Sequence, residues 1–225
     1  MVTLGNPPIE VTLKHSDRAR RMSLRVSRLD GGISLTMPNR TPKREAMAFL
    51  SDREDWLRKH LSNVSPQQTP TFDAPFPFMG RMLPLRAANI RRPMIEEDAL
   101  ILPQGADKLV ARLKAFLKTQ ARDHLARACD SHAATLGKPY GKLTLRDTRS
   151  RWGSCTSHGD LMFSWRLIMA PPEILDYVAA HEVAHLAHMD HSERFWRTCE
   201  DLFPATKPAR RWLRTQGTAL HSWQF

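Results

Sequence analysis

The chain has 225 residues, 41% of them hydrophobic and 25% charged, with a net charge of +11. That is enough apolar material to bury a core without staples, and the three widely spaced cysteines (Cys129, Cys155, Cys199) exclude a disulfide framework and read as reduced thiols. No run reaches signal-peptide form or the roughly 20 apolar residues of a membrane helix, so the expectation is a cytoplasmic chain with no membrane partner. The positive excess favours anionic partners, and nucleic acid binding through the basic surface is one expectation. Arginines gather at 18–28, 81–92, 146–151 and 208–214 without forming one dense tract. Charge names a class of partner, never a reaction.

In chain order, the first part reads as a β-rich module. IEVTLK (9–14) is a first strand, and RRMSLRVSRL (20–29) alternates Met22, Leu24 and Val26 with polar residues, the period of a half-buried strand. Asp30-Gly31-Gly32 signals a hairpin, with ISLTMP (33–38) as the return strand. Thr41 and Pro42 open a helix whose apolar face is Ala46, Phe49, Leu50, Leu57 and Leu61. Residues 63–78, rich in Pro, Ser, Thr and Gln, read as a surface connector. FMGRMLPLRAA (78–88) and ALILP (99–103) read as two more strands.

A long helix is expected over 106–136, with a stripe through Leu109, Leu113, Leu117, Ala121 and Leu125 and a stop at Gly137. KLTLRDT (142–148) and DLMFSWRLI (160–168) read as strands flanking the polar stretch RSRWGSCTSHG. Pro171-Pro172 starts another helix, Ser192 caps the next one through Phe203, and KPARRWLRTQG (207–217) gives the last. This pattern predicts an α+β chain with an N-terminal β-rich module over 1–105 and a core over 106–225.

The chemistry concentrates in HEVAHLAHMDH (181–191), with four histidines and two carboxylates. His181 and His185 stand four apart, about 40° apart around a helix and one turn above each other, so both imidazoles can reach one ion. Glu182 sits beside the first histidine, placed to take a proton from an activated water. Two residues compete for third ligand. His188 keeps the same face only if the helix persists, and one ion would then have to collect side chains spread over about 10.5 Å of helix. His191 would point away on a continued helix and reaches the metal only if the helix stops near His188 and the chain turns back, a break that Met189-Asp190 and the cap at Ser192 permit.

The stretch RWGSCTSHGDLMFSWRLIMAPPEILDYVAAHEVAHLAHMDHSERFW (151–196) resembles the YgjP-like metallopeptidase family of zincins. The shared elements are RWGSC, a strand ending in W-R-L-I, A-P, D-Y-V, HExxH, and a histidine six positions later followed by S-x-x-F-W. The pattern R-x-S-L-R-V before a hairpin, and a helix bearing Trp56, are similar as well. The resemblance implies a zincin-like catalytic core: a long helix, a small sheet and an active-site helix with HExxH. It implies Zn²⁺ held by His181, His185 and His191, Glu182 as general base, and a protein or peptide substrate lying along an edge strand at DLMFSW (160–165). Metzincins share the spacing but carry a glycine where this sequence has His188. The segment is also similar to SprT-like and Wss-type proteases that act on proteins crosslinked to DNA, so a DNA-associated protease is one alternative. A nucleic-acid-binding protein with a structural zinc, closed by a fourth ligand from His188 or a cysteine, is the other.

Around this centre, Trp152 and Trp165 read as packing, and Cys155 as a half-buried structural thiol. Arg149 and Arg151 bind a substrate anion or fix their loop. Tyr177, one turn before His181, faces the site or packs in the core. Asp176 and Asp190 are candidates to orient the imidazoles.

Overall fold

The computed structural model describes residues 1–27, 31–62 and 66–225. Within these the fold is α+β, with six α-helices and three small sheets. Contacts divide the chain into two units, Met1–Gln67 and Gln68–Phe225.

In the first unit, β1 (Val2–Leu4), β2 (Ile9–His15), β3 (Ser23–Val26) and β4 (Ile33–Met37) form one sheet in the order β1-β2-β4-β3. β3 and β4 pair antiparallel, as the hairpin signal predicts, while β2 runs parallel to β4. Asp30 of that turn signal lies outside the described residues, as do 63–65 of the connector. Val11, Ile33, Leu35 and Met37 alternate inward and bury Leu50 and Leu57 from the helical side. The single helix expected over 41–61 is two, α1 (Lys43–Ser51) and α2 (Glu54–Leu61). The break falls at Arg53, whose backbone leaves helical geometry (φ −119°, ψ 14°) and whose guanidinium packs over the Phe49 ring. Thr41 is not the cap: Pro42 takes that position, without a side-chain cap bond.

The second unit opens with β5 (Pro75–Phe78), β6 (Arg81–Ala88), β7 (Met94–Ile95) and β8 (Leu100–Pro103), in the order β5-β6-β8-β7. The end of the expected connector is therefore strand. Met79 and Gly80, both at positive φ, make the two-residue turn from β5 to β6. Phe76, Phe78, Leu83, Leu85, Leu100 and Leu102 share their core with Leu109, Leu113 and Leu117 of the long helix, so the module expected over 1–105 spans the contact boundary after Gln67.

The long helix, α3 (Leu109–Leu136), follows a short 3₁₀ turn and ends as the sequence indicates. Gly137 adopts the left-handed conformation (φ 70°), and the amides of Gly137 and Lys138 close on the last-turn carbonyls. Its buried stripe is Leu109, Leu113, Leu117, Ala121, Leu125, Cys129, His132 and Ala133. Beside it stand β9 (Leu143–Arg146), β10 (Gly153–Cys155) and β11 (Leu161–Ser164), in the order β10-β11-β9. β11 is antiparallel to β10 and parallel to β9. Three helices complete the unit: α4 (Pro172–Ala184), α5 (Glu193–Leu202) and α6 (Thr206–Thr215). α4 packs on α3, where His132 and Asp176 meet at 2.8 Å. No helix among the described residues is long and apolar enough to cross a membrane.

Candidate metal centre

α4 begins with Pro172 in its first turn and is buried over most of its surface. The helix ends at Ala184, with His185 as its C-cap. The amides of Ala187 and His188 then both close on the Ala184 carbonyl, at 3.0 and 3.2 Å, and the chain leaves the helix axis. Asp190 accepts the Ser192 amide at 3.1 Å, and α5 starts immediately after. Ser192 holds the cap position of α5 without a side-chain cap bond. The turn thus forms without glycine.

This reversal brings together His181, His185 and His191. One ring nitrogen from each lies within 4.8 Å of the others. The Nε2 atoms of His181 and His191 are 3.2 Å apart. His188 takes a different part: its carbonyl oxygen receives the Nδ1–H of His185 at 2.9 Å. Tyr177, one turn below, sets its hydroxyl 3.4 Å from Nδ1 of His181. The His188 carbonyl fixes Nδ1 of His185 as a donor, which leaves its Nε2 lone pair free, and the same would hold for His181 with its Nδ1–H toward the Tyr177 oxygen.

Two aromatic residues hold the rings. Phe195 is fully buried, and its ring centroid lies 4.4 Å from His185, 4.8 Å from His191 and 4.9 Å from His181. Trp196 lies 5.7 Å from His181 and 5.6 Å from His191. Their signal in the chain is an apolar pair on the first turn of α5, four and five positions after the third histidine.

Burial pushes His181 down to about 3, and the neighbouring His185, His191 and Arg210 charges add to it. Burial also lowers His185, against the raising effect of the His188 carbonyl. Neutral imidazoles are the form that ligates. Three converging nitrogen donors fit a borderline divalent ion, and no carboxylate or thiol joins them among the described residues.

Glu182 is 5% exposed. Burial pushes its carboxyl up to about 8, opposed by the charge of Arg151. It lies against β10, where a Cβ at Gly153 would come within 2.5 Å of its Oε1. β10 is an edge strand, whereas β11, the strand expected to be the edge at 160–165, is the middle one. A cavity of about 300 Å³ opens beside His185, lined in part by Lys138, Ser157, Leu186 and Met189.

The family model of the YgjP-like metallopeptidase domain matches residues 20–216. The chain belongs to the YgjP-like metallopeptidase family. Among solved structures, this YgjP-like chain is similar to the crystal structure of the metallopeptidase zymogen of Pyrococcus abyssi abylysin. The two share 22% identity with a TM-score of 0.38, over 41% of this chain and 95% of that one. No curated protein matches it.

Several other candidates take structural parts in this YgjP-like chain. Asp176 pairs with His132 and Asp190 accepts the Ser192 amide, so these bonds go to groups other than the rings of His181, His185 and His191. Trp165 is fully buried against Phe225, and Trp152 stacks on His221. The Cys155 thiol donates to the Thr156 carbonyl and is pushed up to about 11, chiefly by burial.

Proposed function

We propose that this metallopeptidase is zinc-dependent, with His181, His185 and His191 holding the ion and Glu182 acting as general base. One observation carries the reading: three imidazoles from a helix and the turn beyond it converge, and a buried carboxylate directly follows the first of them. Nitrogen donors suit zinc, and three protein ligands are the number found where zinc is catalytic. A structural zinc would call for a fourth donor, and none joins the cluster among the described residues. The long helix, the β9–β11 sheet and the motif helix make a zincin-like core in this reading.

When bound, the ion would supply Lewis acidity, polarising the scissile carbonyl and acidifying the attacking water. Glu182 in its ionised form, which the charge of the ion would favour against the burial that pushes it up, accepts the water's proton on a carboxylate oxygen and returns it to the leaving amine. The apolar floor of Phe195 keeps solvent from the back of the imidazoles. The edge of β10 offers main-chain pairing to an extended peptide, which admits many sequences. The cavity beside His185 receives one of the peptide's side chains.

Purified protein is expected to carry zinc in a one-to-one ratio and to digest casein or a generic peptide until a chelator is added. Glu182→Gln should keep the metal and lower turnover by about 10²-fold or more. Cleavage by that variant at the parental rate overturns the assignment of Glu182. Zinc closed by four protein ligands, with no cleavage, overturns the enzyme reading.

A further inference from the structure

We propose that Arg210, whose guanidinium lies over the Trp196 ring, forms a subsite for a carboxylate of the substrate. This rests on the peptidase reading above and specifies what the peptide must carry. Three groups form a ladder leading away from the triad. His191 is exposed, and the Trp196 ring lies 5.6 Å from its imidazole at an interplanar angle of 34°. The guanidinium carbon of Arg210 lies 4.0 Å above the Trp196 ring. Adding the two separations puts that carbon no more than about 10 Å from the His191 ring.

A guanidinium lying over an indole face keeps a fork of N–H donors directed away from the ring. That fork matches the two oxygens of a carboxylate. Other arginines spend theirs inside the protein: Arg58 on Glu54, Arg166 on Asp147, Arg197 on Glu193. Arg210 has no ion pair among the described residues, although it sits beside a candidate active centre. The indole also restrains a long side chain that would otherwise lose rotamer freedom on binding. An extended peptide spans about 3.3–3.6 Å per residue, so the carboxylate belongs within about three residues of the scissile bond. An acidic side chain and a free C-terminus present the same group.

The test uses the full chain carrying Glu182→Gln, with and without added zinc, and three fluorescein-labelled peptides of one sequence. One is neutral with an amidated C-terminus, one carries a Glu and the amide, and one is neutral with a free C-terminal acid. Anisotropy should show at least one acidic form binding about tenfold to a hundredfold tighter than the neutral amide. Whichever it is identifies the source of the carboxylate. Adding Arg210→Gln should erase the preference, and Arg210→Lys, which keeps the charge but loses the fork, should retain part of it. Equal binding of all three peptides, or a preference that survives Arg210→Gln, overturns the proposal. Cleavage by the zinc-loaded parent is measured separately. Arg210-dependent binding without cleavage sinks the hydrolytic reading alone; cleavage without Arg210-dependent binding sinks the subsite alone.

Discussion

In the proposed centre the decisive residue is His191, because it alone lies beyond α4 and its C-cap, past the turn. Its ring is exposed and rests on Phe195 and Trp196. His188 serves the centre through its main chain, so its side chain is dispensable. His191→Ala should therefore weaken zinc binding by several orders of magnitude, and His188→Ala by much less, because the carbonyl that receives the His185 Nδ1–H remains. Competition against a zinc-chelating dye would check this, and equal losses for the two variants would contradict it. The pair His181 and His185 was legible from periodicity alone. The choice between His188 and His191 was not, because it turned on where α4 ends, and no glycine marks that end. The partner of Asp176 is hidden for a related reason: His132 is 44 positions away on α3, a separation that no local pattern encodes.

At the scale of elements, the strand that matters most is the shortest near the site. β10 has three residues inside a polar stretch that reads as loop, so neither alternation nor β-propensity reveals it. The family resemblance points to an edge at 160–165, which is an apolar run. That run is apolar because β11 lies between two neighbours, which is what a middle strand requires. The long α3 was easier: its stripe runs for 28 residues and its terminal glycine is explicit. The closeness of β10 to α4 gives Gly153 a definite task. An added methyl group would meet Glu182 at Oε1 and at Cγ, 2.5 and 2.6 Å away, so the carboxylate must shift. Gly153→Ala is expected to reduce peptide hydrolysis about 10²-fold while zinc content stays at the parental level, and to cost about 1–3 kcal/mol of stability through overpacking. Parental turnover in that variant would show that Glu182 can do its work from elsewhere.

At the scale of the molecule, the second unit is closed by its own C-terminal segment. The buried Arg166 pairs with Asp147 at 2.6 Å and donates to the carbonyls of Leu220 and Trp223 at 2.9 and 2.8 Å. His221 stacks on Trp152, the residue preceding Gly153. Burial, aided by the Arg166 charge, pushes His221 down to about 4. Its folded form is therefore neutral where the unfolded chain, titrating near about 6.5, takes up a proton. The unfolded state binds more protons between those values, so this contribution to stability is complete above about pH 6.5 and is lost as pH falls toward 4. Asp147 acts in the same direction at lower pH. Burial alone would raise its carboxyl, but the Arg166 hydrogen bond and charge outweigh that and hold it below the usual range. Urea denaturation at pH 7 and pH 5 should show a loss that His221→Gln reduces; an unchanged slope in the variant would exclude His221 as its source.

The third histidine's place beyond α4 has a mechanical consequence. In the proposed reading, an ion shared between residues 181, 185 and 191 would be a tether across a corner, joining the end of one helix to the start of the next. Stripping the metal would then do more than silence chemistry. It would free residues 186–192 to fray, so the same event that empties the centre would expose a nicking point at its rim.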